Sequence, residues 1–381
     1  MGGIYIHVPF CKLACHYCDF HFSTNTALKA DMVSAIVSEL SLQHAYLGNE
    51  DIDTIYFGGG TPSLLEASDL GAIFGAIDKN FTISADPEIT LEANPDDLGI
   101  IKLNELKSAG INRLSIGIQS FDDEVLKFLN RSHNAAAASK CFEDARSAGF
   151  RNLSIDLIYS IPGQTMETWQ RNIRHALRLN PEHISTYSLT IESKTVFGNW
   201  FKRGKLTPIT DEDSAEQMEL LTDLLTGAGY VQYEISNFGK PGFFSRHNSS
   251  YWQGAKYLGV GPSAHSYNGA CRQFNIRNNP LYVNAIRQDK IPFEVEKLSR
   301  EDRINDYLMT TLRTMWGCNL DVLKKQFNYD LVADNGEYLS RLVDNKFADL
   351  EDNCLKLTRK GKLVADRISA DLFLTNDPDG A

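Results

Sequence analysis

The first half of this chain alternates apolar, strand-like runs with amphipathic helical stretches, and that order limits the fold more than any other feature. Residues 4–8 read as a strand. Residues 27–47 follow as a helix, because Met32, Ile36 and Leu40 recur at four-residue spacing on one face. Residues 52–57, 88–92, 113–118, 152–158 and 183–189 read as further strands, with helices expected at 98–109, 124–129, 135–148 and 166–179. Gly110 and Gly149 stand where helices should stop. Repeated βα units predict an α/β fold with a parallel sheet and external helices, a partial TIM-type (β/α)6 barrel. A doubly wound open sheet is the structural alternative. In both, ligands belong at the carboxyl ends of the strands.

The character changes beyond about residue 211. A helix over 214–225 and a strand over 230–235 precede an irregular stretch, 237–269, rich in Gly, Asn and aromatics. Helices are then expected at 302–315, 320–327 and 337–345, a short hairpin at 347–350 and 354–357, and a last helix at 358–368. Helices followed by a hairpin predict a winged-helix-like module. The division expected is therefore 1–210, 211–299 and 300–381. A formal net charge of −11 argues against an extended nucleic-acid surface, so the module reads as packing or partner surface. No run of eighteen or so apolar residues signals a membrane span, and residues 2–10 lack the basic and apolar regions of a signal peptide. Cytoplasm is the expected compartment.

Three of the seven cysteines, Cys11, Cys15 and Cys18, fall within one short loop directly after the first strand. The others, Cys141, Cys271, Cys318 and Cys354, are scattered, which fits a reducing compartment. A disulfide uses only two of the clustered thiols and closes a loop too tight to constrain much of the unfolded chain. A zinc site needs a fourth ligand, for which His16, Asp19 and His21 are at hand. An iron–sulfur cubane held by three thiolates leaves one iron open to a substrate or cofactor. Three buried structural cysteines are the plain alternative.

Other polar residues interrupt apolar strands at their carboxyl ends. Gly58-Gly59-Gly60-Thr61-Pro62 lets backbone approach a ligand closely. Glu92, Gln119 and Asp156 are costly to bury without partners, and the guanidinium of Arg131 can clamp a carboxylate.

The Cys-x3-Cys-x2-Cys spacing with Tyr17 before the last cysteine resembles the signature of the radical S-adenosylmethionine (SAM) superfamily. The series Tyr5-Ile-His-Val-Pro-Phe-Cys, Phe57-Gly-Gly-Gly-Thr-Pro, Leu91-Glu-Ala-Asn-Pro, Gly117-Ile-Gln-Ser-Phe, Leu129-Asn-Arg and Asp156-Leu-Ile-Tyr-Ser-Ile-Pro-Gly resembles the oxygen-independent coproporphyrinogen III oxidase family and its relatives, the HemW haem chaperones. The resemblance implies that Cys11, Cys15 and Cys18 bind a [4Fe–4S] cluster, and that Tyr5, Tyr17, Gly59, Gly60, Thr61, Glu92, Gln119, Arg131 and Asp156 line a SAM site. Two departures weaken the oxidase branch. Phe20 stands where the oxidase has a further cysteine, and the long N-terminal extension of the oxidase is not matched. His247-Asn-Ser-Ser-Tyr251-Trp252 matches a motif of the chaperone branch, which implies His247 as haem-iron ligand, Tyr251 and Trp252 over the macrocycle, and His265 as a weaker second ligand.

The leading expectation is a haem chaperone that passes haem to an acceptor, of the respiratory haem proteins by family association. The alternative is an enzyme, oxidative decarboxylation of coproporphyrinogen propionates by SAM-derived radical chemistry. Monomer and homodimer are equally compatible with the chain, as is peripheral association with a membrane.

Overall fold

The computed structural model describes residues 2–374. Six strands and their helices lead the chain: β1 (Gly2–Val8), α1 (Lys29–Leu42), β2 (Ile52–Gly59), α2 (Ala67–Asn80), β3 (Ile83–Ala93), α3 (Ile100–Ser108), β4 (Arg113–Gln119), α4 (Asp123–Phe128), α5 (Ala135–Ser147), β5 (Asn152–Tyr159), α6 (Met166–Leu179) and β6 (His183–Ser188). These strands pair in parallel and in sequence order. Next come α7 (Val196–Lys202), α8 (Asp211–Gly227), β7 (Val231–Glu234), β8 (Asn237–Gly239), α9 (Arg246–Trp252), β9 (Lys256–Val260), β10 (His265–Tyr267), β11 (Cys271–Asn275), α10 (Asn279–Ile286) and β12 (Phe293–Lys297). β9 joins β1 in parallel and leads into the antiparallel β10, β11 and β12, while β8 and β7 extend the β6 side.

Alternation along the strands decides between barrel and doubly wound sheet. Ile4, Ile6, Ile55, Phe57, Leu91, Leu114, Ile116, Leu153 and Ile155 face one side and join the helices in the main core. Residues between them, Tyr5, Tyr56, Glu92, Ser115, Ser154 and Asp156, face the other. A sheet covered by helices on both faces is apolar on both. This one carries helices outside and polar side chains within, as a half-open barrel does, and its two edge strands, β12 and β7, lie at opposite ends of the strand order.

The C-terminal portion runs α11 (Arg300–Leu312), β13 (Cys318–Asn319), α12 (Leu320–Phe327), α13 (Leu331–Asp344), β14 (Ala348–Glu351), β15 (Cys354–Leu357), α14 (Arg359–Lys362) and α15 (Ala365–Asp371). Three helices followed by a hairpin, with β13 as third strand, make the winged-helix-like order. Ile304, Leu308, Leu323, Leu355 and Ile368 form a core of its own. By contrast Leu221, Phe238, Leu258 and Tyr282, between residues 211 and 299, belong to the barrel's core. Residues 375–381 of the expected third segment lie outside the described residues.

Three expectations need correction. The sequence reading passed over α2, in which Gly71 and Gly75 dilute the helical signal; a capping box of Glu66 and Asp69 starts this helix. The stretch 237–269, read as irregular, holds α9 and strands too short to show a period. The last helix is two, because Val364 (φ −126°, ψ 26°) leaves the helical region between them.

Candidate functional site

The loop after β1 is fixed from both ends. Cys11 N–H donates to Ser23 O and Ser23 N–H to Pro9 O, while Gly60 and Thr61 N–H donate to Val8 O and Phe10 O. On its far side Asn130 Nδ2 donates to Ala14 O (2.7 Å), and His16 Nδ1 pairs with Phe128 O (3.0 Å). Lys12 pairs with Asp96 and Asp97. The cysteine loop is thus tied to the ends of β2, β3 and α4.

Cys11, Cys15 and Cys18 are free and half-buried. Burial pushes the Cys11 and Cys18 thiols up to about 11, so iron would have to displace their protons. Thr61 Oγ1 donates to Cys11 Sγ (3.4 Å) and Arg131 Nη1 to Cys15 Sγ (3.3 Å). Among the described residues no three His, Cys, Asp or Glu side chains converge on a single-ion cage. In a cubane each thiolate meets a different iron, which asks for a ring of thiols instead.

The glycine loop is a close-approach device. Gly59 has φ +104°, and a Cβ there would sit 2.5 Å from the His7 ring. A Cβ on Gly60 would meet Phe10 O at 2.6 Å. Beside it Tyr56 OH donates to Glu92 Oε1 (2.7 Å) and Gly59 N–H to Glu92 Oε2 (3.2 Å). Burial raises Glu92 to about 7 despite these donors, and nearby Asp156 adds to the rise. Asp156, held by Ser115 Oγ (3.2 Å), is itself raised to about 6 by burial, with Arg113 opposing the shift.

Gln119 departs from regular strand geometry. Its φ is +67°, the β4–β5 register slips between Ile116 and Gln119, and its buried Oε1 has no partner. A strained bulge with an orphaned acceptor marks a side chain re-aimed for a ligand. Three thiols on one loop, a glycine cradle and this orphan fit a cluster with SAM. When bound, that pair supplies one-electron reductive chemistry; the protein's share is to hold thiols, glycine amides and carboxylates in place.

The structure gathers Thr61, Arg131 and Cys15 through a residue the sequence reading did not single out. Asn94 donates to Thr61 Oγ1 (3.1 Å) and accepts from Arg131 Nη2 (2.6 Å). Its position before Pro95, at the end of a strand, was the available signal. Tyr56 was likewise missed. Its ring clusters with those of Tyr5 (6.1 Å) and His247 (4.9 Å). Tyr5 faces the same interior, its hydroxyl on His7 Nδ1 (3.2 Å), and Tyr17 packs beside Leu129 and Ile158.

His247 stacks its ring on Tyr56 and lies 6.5 Å from Tyr5, but its anchors are deeper than the glycine loop and Glu92. Its Nδ1 pairs with Thr54 Oγ1 (2.8 Å), two residues before Tyr56, or about 6–7 Å deeper along β2. Its Nε2 pairs with Tyr251 OH (2.7 Å), its backbone N–H donates to Glu88, and it is 1 % exposed. Burial lowers the imidazole to about 3. α9 therefore plugs the amino-terminal end of the barrel. Trp252 points to the C-terminal module, its ring 5.5 Å from the Arg313 guanidinium and its buried Nε1 without a partner. Both ring nitrogens of His247 are therefore engaged within the protein. His265, at the head of β10, is exposed against Phe274.

The radical SAM superfamily is the class that this barrel and cysteine loop define, and its sequence profile matches residues 5–176. A second profile, the HemN C-terminal domain, matches residues 298–364. Heme chaperone HemW of Bacillus subtilis is 35% identical, over 97% of this chain and 98% of its own length. Heme chaperone HemW of Lactococcus lactis is 34% identical over 99% and 98%. The chain belongs to the HemW family. Among solved structures, coproporphyrinogen III oxidase (HemN) from Escherichia coli, described as a radical SAM enzyme, aligns with a TM-score of 0.84 over 98% of this chain and 90% of its own, at 23% identity. That likeness is one of fold.

Proposed function

We propose that this protein is a haem chaperone: it binds haem and passes it to an acceptor haem protein of the respiratory kind. Its scaffold carries a [4Fe–4S] cluster on Cys11, Cys15 and Cys18 and SAM among Tyr5, Tyr17, Gly59, Gly60, Thr61, Glu92, Gln119, Arg131 and Asp156. Near-full-length similarity to proteins named Heme chaperone HemW carries this reading. Phe20 supports it. Where the oxidase signature has a thiol, this chain places a phenyl ring that is 71 % exposed, and a phenyl ring can neither ligate nor transfer a proton. We place the protein in the cytoplasm on its scattered free cysteines. The segments 1–210, 211–299 and 300–381 serve as barrel, extension and partner-facing module. No helix among the described residues is long and apolar enough to cross a membrane, so any membrane contact would be peripheral or lie outside them.

The test is an anaerobic haem titration of cluster-reconstituted protein, followed by mixing with an apo-acceptor. The expected result is saturable binding at one haem per chain and loss of the haem spectrum to the acceptor. Absence of saturable binding, with SAM cleaved and carbon dioxide released from coproporphyrinogen III, would sink the proposal in favour of the oxidase.

A further inference from the structure

The protein has nine histidines, and their hydrogen bonds sort them as iron ligands. His7, His183 and His247 have both ring nitrogens engaged. His16, His21, His44, His133 and His175 each have one engaged. Among the described residues His265 alone has neither nitrogen bonded, and it is exposed. His44 is also exposed, but it lies past the end of α1, away from the barrel mouth.

The place of His265 matters as much as its freedom. The turn before it is pressed on β1: a Cβ on Gly261 would sit 2.5 Å from His7 O. His265 pairs with Phe274 across β10 and β11, and three residues later Arg277 reaches back to donate to Asp19 O in the cysteine loop. Asn279 Oδ1 holds His21 Nε2 (2.7 Å). His265, Arg277 and residues 19–21 therefore form one continuous rim beside the three thiols. This rim exposes apolar surface: Phe20 is 71 % exposed and Leu281, two residues beyond Asn279, 53 %. The Arg277 side chain is 51 % exposed and 4.0 Å from the Asp19 carboxylate, with which a propionate would share the guanidinium.

We infer that this rim is the haem-docking site, with His265 as axial ligand to iron, Phe20 and Leu281 against the macrocycle, and Arg277 on a propionate. The inference deepens the haem reading proposed above and rests on it. An exposed imidazole, an apolar rim and a guanidinium match the three parts of haem: iron, macrocycle and carboxylates. In the interior, the buried imidazoles of His7, His183 and His247 present no free nitrogen. Tyr5, Tyr56, Tyr251 and His247 pack on one another there in stacked and edge contacts, and His247 is 1 % exposed with both nitrogens bonded. Cargo at the rim is also open to an acceptor, as transfer requires.

The experiment is titration of full-length, cluster-reconstituted protein with ferric haem under anaerobic conditions, read by Soret absorption, in wild type, His265→Ala, His265→Cys and His247→Ala, with far-UV circular dichroism to check folding. Expected are a loss of at least tenfold in affinity for His265→Ala, restored binding with a thiolate-type spectrum for His265→Cys, and a wild-type ligation spectrum for His247→Ala. A His265→Ala titration identical to wild type overturns the inference, and so does loss of ligation in a folded His247→Ala alone. If His247→Ala does not fold, the His265 pair decides. Failure of wild type to bind any haem removes the chaperone reading itself, and is distinguished because it appears in the first arm.

Discussion

Glu92 shows how a single residue can be legible in kind and not in state. Its place at the end of an apolar strand marks a polar group facing a ligand, but only the structure reveals that burial holds it at about 7, against an ordinary value of 4.5. Ionising it inside the fold therefore costs about 3 kcal/mol more than in the unfolded chain. The sign follows from which state keeps the proton. The unfolded chain releases it near pH 4.5 and the fold near pH 7, so this contribution to stability is full below pH 4.5 and lost as pH rises through 7. Asp156, raised to about 6, works in the same direction. Glu92→Gln removes the first part and forfeits one acceptor bond, worth about 1 kcal/mol. Urea unfolding of SAM-free protein should find the variant about 2 kcal/mol more stable than wild type at pH 8 and no more stable at pH 4.5, with the residual slope owed to Asp156. His247 and His265 teach the complementary lesson. A motif identifies the former, whereas hydrogen-bond saturation, which favours the latter, is not written in sequence order.

At the scale of elements, clarity of period mattered more than length: the 14-residue α2, diluted by Gly71 and Gly75, is silent in the sequence, whereas the shorter α4 and α12 are legible. The helix expected at 166–179 is α6 as observed: Thr165 caps it, Trp169 and Ile173 bury one face, and Asn180 ends it in the left-handed region. β9, β10 and β11 are strands of three to five residues, whose pairing depends on distant neighbours. One such neighbour is Glu39, a carboxylate inside α1 that reads as helix surface but is fully buried. It accepts from Tyr282 OH, Gly261 N–H (2.8 Å), Asn275 Nδ2 (2.7 Å) and Gln43 Nε2 (2.9 Å). Through these donors α1 locks the segment from the Gly261 turn to α10, which also carries the rim. Glu39→Ala strands Tyr282 OH, Gly261 N–H and Gln43 Nε2 in a buried cavity, while Asn275 Nδ2 keeps Gly261 O (2.9 Å), and should cost about 3–5 kcal/mol. Thermal melts should show the loss, and limited proteolysis should cut first within 261–290. Unaltered melting would mean that the segment is held by packing alone.

In the whole molecule the barrel and the C-terminal module, each with a hydrophobic core of its own, are joined by a seam that is polar at its centre. The order of helices and hairpin made the C-terminal module visible in the sequence, yet nothing there indicated how it docks, because the contacts join residues far apart in the chain. Ile235 N–H donates to Arg313 O and Met315 N–H to Tyr233 O, so the module continues the β7 edge of the sheet. Arg313 is the centre of this seam. Its Nε and Nη2 donate to Glu234 Oε1 (3.2 and 3.1 Å), Nη1 donates to Asp366 (2.9 Å), and its guanidinium lies over Trp252. Glu234 is 1 % exposed, so removing the guanidinium strands a buried carboxylate whose remaining donors are Ser236 N–H and Asn237 Nδ2. That loss is worth about 3 kcal/mol, and it falls on the seam and not on either core. Arg313→Ala should therefore leave both cores folded while uncoupling them. Calorimetry should show one transition in wild type and two in the variant, with amide exchange accelerated across 300–374 first. Because Arg313 also covers Trp252, the variant should raise Trp252 exposure to a collisional quencher. A single transition at an unchanged temperature would instead assign the coupling to the other bonds across the seam, the backbone pairs at Tyr233 and Ile235 together with the Arg359–Asp223, Lys362–Gln232 and Arg272–Asp306 contacts.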